Sequence, residues 1–369
     1  MTNFKSSPKK ILATILLVIF QSSNALAAGF TKPILDIGLS GFSLKEEASM
    51  SRGASTSLEA RFEYLIEEGL KLNFWPVASF ISGEQTSRDP QSPLTNSLYL
   101  KEASVEKELV FEIKIKAGAL FQKDFLPAMS GQTKSFPAIG MIAPLKLDSH
   151  LIELKMEAAV PTSSGLATTT TELESNSTLY QAGFLIRSNW ASALGSEINL
   201  SHFHFNNLSS QAAYDSLQRG NSVIRSSSSA GSFVYRYSGN EAQIALNILD
   251  TEQISFKLKG SYIKNDSAPK GINAGYYFLL SPGIKLDQFY SVSAQVEHYH
   301  VESDAIVATF SDTTYGRTNR DGYKYSLNFD KEKYTIQLTV SQSKLIQKNP
   351  FQSDDTSLFF NLNLKNIVF

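Results

Sequence analysis

Cysteine is absent from the 369 residues. Without thiols the chain has no disulfide framework and no thiolate metal site. An excess of one charge sign is lacking too: 34 Lys and Arg stand against 35 Asp and Glu. That is no basic footprint, so nucleic acid is not expected as a partner. Long apolar runs are also missing. The most apolar stretch, Ile11 to Phe20, has ten residues, whereas a spanning helix needs about 20. The P-loop, HExxH and GxSxG signatures do not occur, so no enzyme is expected, and no cofactor or metal.

The start of the chain is expected to leave the mature protein. Lys5, Lys9 and Lys10 precede the short apolar core, and Ala25-Leu26-Ala27 has the small-x-small form of a cleavage site. Residues 1–27 therefore read as a secretory signal peptide and residues 28–369 as the mature chain. Losing the three lysines takes the formal charge from −1 to −4. With no second apolar run, the mature chain is either soluble outside the cytoplasm or crosses a membrane as strands. A closed barrel is the alternative to helices there, because unpaired backbone groups in lipid cost several kcal/mol each.

What is abundant is alternation. In Val110 to Gln122 (VFEIKIKAGALFQ), Phe111, Ile113, Ile115, Ala117, Ala119 and Phe121 share one face. Glu112, Lys114, Lys116, Gly118 and Gln122 share the other, with Leu120 the exception. Period-two alternation is the mark of a strand with one apolar and one wet wall. Thirteen residues in this state extend about 40 Å, enough to cross an outer membrane at a tilt of about 45°. Thr56 to Glu67, Leu70 to Phe80, Ser149 to Val160 and most later segments repeat the pattern. Pro76 cannot donate to a ladder and marks a bulge or irregularity.

Connector lengths test closure, because spanning barrels carry short turns on one rim and long loops on the other. Counting back from the C-terminus, most connectors alternate in this way. Asp250 to Glu252 is short on the long side. With Ala230 to Ser238 and Asp304 to Phe310 counted as strands, the phase upstream of Val160 holds only if Phe136 to Leu147 is itself a strand, which gives eighteen with both termini on one rim; sixteen is the main alternative, since weak segments can merge or drop out. A soluble β-sandwich would also alternate. Strands of 10 to 13 residues, against about 5 or 6 in soluble proteins, favour the barrel. So do aromatics near strand ends: Phe74-Trp75, Trp190, Phe203 with Phe205, Tyr276-Tyr277 and Tyr323 with Tyr325. The expected fold is all-β, a transmembrane antiparallel β-barrel.

The last segment, SLFFNLNLKNIVF, ends on Phe369. It resembles the terminal strand of Gram-negative outer-membrane barrels, which end on an aromatic after alternating apolar residues. Ile367 is in phase with Phe369, but Leu358, Phe360, Leu362 and Leu364 are not. A one-residue bulge near Lys365 or Asn366 reconciles them. With the leader and the strand pattern, the mature chain resembles a porin-type outer-membrane protein. The resemblance implies a bacterial outer-membrane location, lipid around the barrel, and recognition of the Phe369 strand by the barrel assembly machinery. A homotrimer is among the assemblies it implies.

Ionisable groups facing lipid at mid-bilayer would cost about 2–4 kcal/mol each, so the wet wall is expected to be the lumen. Its candidate pore-lining residues are Glu59, Arg61, Glu63, Lys71, Glu112, Lys114, Lys116, Glu153, Lys155, Glu157, Lys257, Lys259, Glu297 and Lys324. Neutral polar residues Gln295, Asn328, Gln337, Thr339 and Ser341 complete the wall. Sixteen to eighteen strands leave a channel too wide for side chains to fill. Passive diffusion of small polar solutes is the function expected, with a non-channel adhesin or envelope scaffold as the alternative. In trimeric porins the third loop narrows the pore; by that analogy Lys123, Asp124 and Lys134 form a constriction. His202 with His204, and His298 with His300, each place two imidazoles about 7 Å apart on one strand face. They read as lumen or rim histidines, or as a metal site if their strands are neighbours.

Overall fold

The computed structural model describes residues 31, 33–46, 49–85, 96–122, 129, 135–162, 176–191, 193–225, 230–287, 289–311 and 317–368. Residues 1–30 and 369 lie outside them, and with them the leader and the terminal aromatic. In chain order the strands are β1 (Ile34–Glu46), β2 (Ser49–Glu67), β3 (Leu70–Gln85), β4 (Ser97–Glu108), β5 (Lys114–Phe121) and β6 (Ser135–Leu147). Then follow β7 (His150–Ala159), β8 (Thr178–Ala191), β9 (Leu194–Asn206), β10 (Val223–Arg225), β11 (Gly231–Phe233) and β12 (Tyr237–Asp250). The chain finishes with β13 (Ile254–Asn265), β14 (Ala274–Lys285), β15 (Tyr290–Val301), β16 (Arg320–Lys331), β17 (Tyr334–Leu345) and β18 (Asp355–Val368). A short helix α1 (Ser210–Leu217) lies between β9 and β10, its first turn capped by the Ser209 hydroxyl accepting from Ala212 N. No helix among the described residues is long and apolar enough to cross a membrane.

Sixteen strands form one closed antiparallel barrel, each pairing with its neighbour and β18 closing on β1; β10 and β11 make a separate two-stranded sheet. Closure removes the unpaired edges that an open sheet would present. The favoured count of eighteen is thus corrected to sixteen. Of Ala230 to Ser238, three residues form β11 outside the barrel and only the last two enter β12. Asp304 to Phe310 is a run of turns, buried throughout. Both segments are apolar and flanked by turn residues, which is also how a strand reads. What separates them is the availability of buried surface: Ile306, Val307 and Phe310 pack against Phe136, Phe203, Phe205 and Tyr237 instead of joining a ladder. Burying such a side chain is worth about 1.5–3 kcal/mol.

The two false strands compensated each other. Each inverts the rim assignment once, so the two cancel, and β1 begins on the same rim at which β18 ends. Between them the assignment is reversed: Thr251 to Gln253 is a short-rim turn and Asp266 to Asn273 a long-rim loop. The anomaly at Asp250 to Glu252 disappears. Every short-rim connector has two to five residues, and every long-rim connector except 47–48 has eight to thirty.

Three local readings meet the structure. At β18 the register steps from Leu35↔Ile367 to Ile37↔Leu364, leaving Lys365 and Asn366 opposite Asp36 alone, the one-residue bulge the alternation required. At Pro76 the register steps from Trp75↔Glu102 to Pro76↔Leu100, a bulge on the partner strand. The stretch Val110 to Gln122, however, is not one strand. Val110–Glu112 is a short 3-10 turn with Phe111 at φ 59° and Glu112 at φ 58°, and β5 begins at Lys114.

Candidate functional site: the barrel interior

The two walls are chemically distinct. Outside, one rung crosses Leu327, Leu338 and Phe360, all exposed, and Val105, Ile139, Met156, Phe184, Leu200 and Ile244 continue the apolar surface. Inside, the adjacent rung crosses Ser326, Thr339 and Phe359, with the two hydroxyls 2.9 Å apart. Glu102, Ser104, Glu106, Glu157, Gln181, Ser201, Glu241, Gln243, Ser261, Glu297 and Asn328 are buried on this inner face. A single strand period therefore sorts apolar from polar side chains around the ring.

From β1 to β9 the inner face carries a ladder of ion pairs. Arg61 pairs with Asp36 and lies over the Trp75 ring at 4.7 Å. Trp75 donates Nε1–H to Glu59 at 3.1 Å, and Lys101 reaches Glu59 at 2.9 Å. Lys71 lies between Glu63 and Glu106, each at 3.6 Å, and Lys116 between Glu106 at 3.4 Å and Glu102 at 3.5 Å. Farther round, Arg187 joins Glu153 at 3.5 Å and Glu197 at 2.9 Å, and Lys155 is 3.9 Å from Glu153.

Across the lumen, the β15–β18 wall is mostly hydroxyl and amide. A cavity of about 470 Å³ opens onto Tyr299, Arg317, Arg320, Lys324, Gln337, Thr339, Ser341, Asp355, Ser357, Phe359 and Asn361. Arg320, nearly fully buried, holds Asp355 at 2.8 Å and the Ser343 hydroxyl at 2.6 Å. Lys324 is 3.7 Å from Glu297.

The long-loop end of the interior is filled by two connections. Residues 302–311 turn inward and are pinned from the β9–β12 connection. The Asn221 amide donates to the carbonyls of Ser303 and Ile306 and accepts from Ala308 N at 2.8 Å. Asp304, fully buried, accepts from Tyr237 Oη at 2.8 Å, Ser222 Oγ at 2.6 Å, Ser222 N at 3.0 Å and Ser303 Oγ at 3.1 Å. Asn265 Nδ2 donates to the Asp304 carbonyl at 2.9 Å. A buried carboxylate is stable only when its lone pairs are met in this way. Phe310 stacks on Phe205 at 6.1 Å and meets Phe136 edge-on at 5.5 Å.

The expected site residues divide. Glu59, Arg61, Glu63, Lys71, Lys116, Glu153 and Lys155 come together in the ladder. Glu157 sits nearer the loop end, accepting from Gln122 at 2.8 Å and from Gln181. Lys114 begins β5 directly opposite Glu108. Lys257 and Lys259 share the inner face of β13 with buried Ser261 and Ile263. Glu112 leaves the wall: in the rim turn it pairs with Lys146 at 2.6 Å. Lys123, Asp124 and Lys134 lie outside the described residues. Met129 from the same connector is described; it is fully buried, its N–H donates to Glu241 at 3.0 Å, and it packs beside Gly275.

Leu120, the apolar exception on the wet face, also has its explanation. It pairs with Phe136 across the ladder, and both face the filled interior at 1% exposure. Several aromatics expected at the membrane interfaces face inward instead: Trp75 in the ladder, and Phe203, Phe205 and Tyr277 in the interior packing. Trp190, Phe74, Tyr276, Tyr323 and Tyr325 are exposed.

The histidine pairs do not meet, since β12, β13 and β14 separate β9 from β15. Both are outward, at the long-loop end. His202 contacts Asn240 at 3.1 Å; His300 and His298 lie 2.9 and 3.5 Å from one Asp321 oxygen, with His300 stacked on Tyr276. No group of three or more His, Cys, Asp or Glu able to hold a metal occurs among the described residues. The inward 302–311 segment and the Asn221–Ser222 clamp were invisible to a period-based reading. The signal available was the density of small and apolar residues in Ala305 to Ala308.

No protein-family model matches the sequence, and no curated protein is similar to it. Solved structures are. Pseudomonas putida OprB at high pH superposes with a TM-score of 0.60 at 11% identity, covering 94% of this chain and 96% of that one. The same protein at low pH gives 0.52 at 7%, covering 93% and 95%. Salmonella typhi OmpF, in complex with daunomycin, gives 0.53 at 8%, covering 90% and 97%. At these identities what is shared is architecture, and nearly the whole of each chain shares it: this protein has the fold of the porin-type outer-membrane β-barrels.

Proposed function

We propose that the protein is a porin-like channel in a bacterial outer membrane, carrying small polar solutes by passive diffusion. One observation carries the reading: a closed sixteen-strand barrel exposes apolar side chains outside and ion pairs, hydroxyls and amides inside. An apolar exterior of this extent is at home in lipid, and a polar, ion-paired interior holds water. On this reading residues 1–27 direct export, the short-turn rim faces the periplasm, and the terminal strand through Phe369 is the element the barrel assembly machinery engages. The inner-wall charges Glu59, Arg61, Glu63, Lys71, Lys114, Lys116, Glu153 and Lys155, with Lys257, Lys259, Glu297 and Lys324, are the groups a solute passes. Folded full-length protein added to a planar lipid bilayer tests it: stepwise ion currents are expected, and repeated insertion without current overturns it.

A second reading has its own observation. Residues 302–311 and α1 occupy the loop end of the barrel, and a lumen closed there suits an adhesin or envelope scaffold. Absence of current from demonstrably inserted protein favours that reading.

A further inference from the structure

The chain has nearly equal numbers of acids and bases, so charge counts leave ion preference open. Pairing decides it. On the inner face, Asp36, Glu59, Glu63, Glu102, Glu106, Glu153, Glu197, Glu297 and Asp355 each stand within 4 Å of an Arg or Lys. At the loop end Glu157, Glu241 and Asp304 are buried and accept hydrogen bonds from Gln122, Ser261 and Tyr237. Lys114 has Glu108 directly across from it, and Asp330 shares the Thr335 hydroxyl with Lys365.

Two cations remain. Lys257 and Lys259 are consecutive inner-face residues of β13, and among the described residues neither has a hydrogen bond or ion pair. Their cross-strand neighbours are Asn247 and Ser281 for Lys257, and Ala245 and Leu279 for Lys259, none of them acidic. Around the ring β13 stands opposite β3, whose inner face carries Lys71, itself held by two acids. The open half of the interior therefore presents two ammonium groups that pair with no carboxylate among the described residues. A charge exposed to pore water and not paired acts on passing ions, whereas a paired one presents a dipole that decays faster with distance.

We infer that Lys257 and Lys259 give the channel a preference for small anions, inorganic or carboxylate. The inference rests on the channel reading and adds to it the sign of the solute. The test is the reversal potential of the full-length protein in planar bilayers under a potassium chloride gradient. The native protein is expected to pass chloride in preference to potassium. The Lys257→Gln, Lys259→Gln double variant is expected to lower the chloride-to-potassium permeability ratio by about fourfold, about twofold per lysine, the size of a single-charge Coulomb effect in water at pore distances. Lys344→Gln removes the same charge from the outer face of β17 and is expected to leave the ratio unchanged. Current with a cation preference, or with a ratio the double variant does not move, overturns the inference while leaving the channel standing. Absence of any current from inserted protein overturns the channel reading and this inference with it.

Discussion

The Tyr237 hydroxyl donates to Asp304 Oδ1 at 2.8 Å, and both side chains are fully buried. One belongs to the first residue of a barrel strand, the other to the β15–β16 connector, which enters the barrel three to four strands away around the ring. With Ser222 on the same carboxylate, this contact fixes how far the 302–311 segment reaches into the lumen. Asp304→Ala is expected to release that segment and raise single-channel conductance, with loss of stability. Tyr237→Phe removes one hydrogen bond to a carboxylate, a change of about 1.5–3 kcal/mol. Its conductance is expected to change less than that of Asp304→Ala. Single-channel recording beside denaturant titration in bilayers checks both; unchanged conductance in Asp304→Ala would mean the segment does not limit flow.

Leu327 and Gln337 lie on neighbouring strands but on opposite walls. Leu327→Arg puts a cation on the apolar exterior and is expected to cost about 2–4 kcal/mol in a bilayer. Gln337→Arg, on the inner wall, is expected to cost much less. Urea unfolding of the two variants in phospholipid vesicles makes the comparison. Equal costs would contradict the assignment of lipid to the outside.

Gly118 adopts φ +134°, and a Cβ built there would come 2.3 Å from the Ala103 carbonyl oxygen. Strain and close approach act together, so Gly118→Val is expected to destabilise the barrel by several kcal/mol, on the order of two backbone-strain contributions. Gly260, also in a strand, has its nearest neighbour at 3.4 Å, and Gly260→Ala is expected to be tolerated. The ratio of folded to unfolded bands on unheated gels reads both out. A Gly118→Val protein as stable as the native one would refute the strain argument.

Deleting Asn366 removes the extra residue of the β18 bulge and reverses the face of everything after it. Reduced barrel yield in the envelope is expected, as it is for Phe369→Ala on the assembly reading. Cell fractionation measures this; native yield of the Asn366 deletion would show that the bulge carries no register information.

Within a strand such as β5, alternation separates neighbouring side chains onto the two walls, while Glu112, just before β5, falls in a rim turn that the pattern does not show. Ile115 and Lys116 are sorted by a backbone whose side chains alternate, and no tertiary contact is needed to know that they part. The same rule required the β18 bulge, because Leu364 and Ile367 cannot otherwise share a face. What alternation could not supply was which apolar segments find strand partners. Ala305 to Phe310 has the composition of a strand, and it became a buried turn because Phe136, Phe205 and Tyr237 offered it an apolar surface inside the barrel. Period two also cannot tell a charge held by a carboxylate at 3.4 Å from one left open. Lys116 and Lys257 read alike along the chain; only closing the sheet, which sets Glu106 beside one and Asn247 beside the other, separates them.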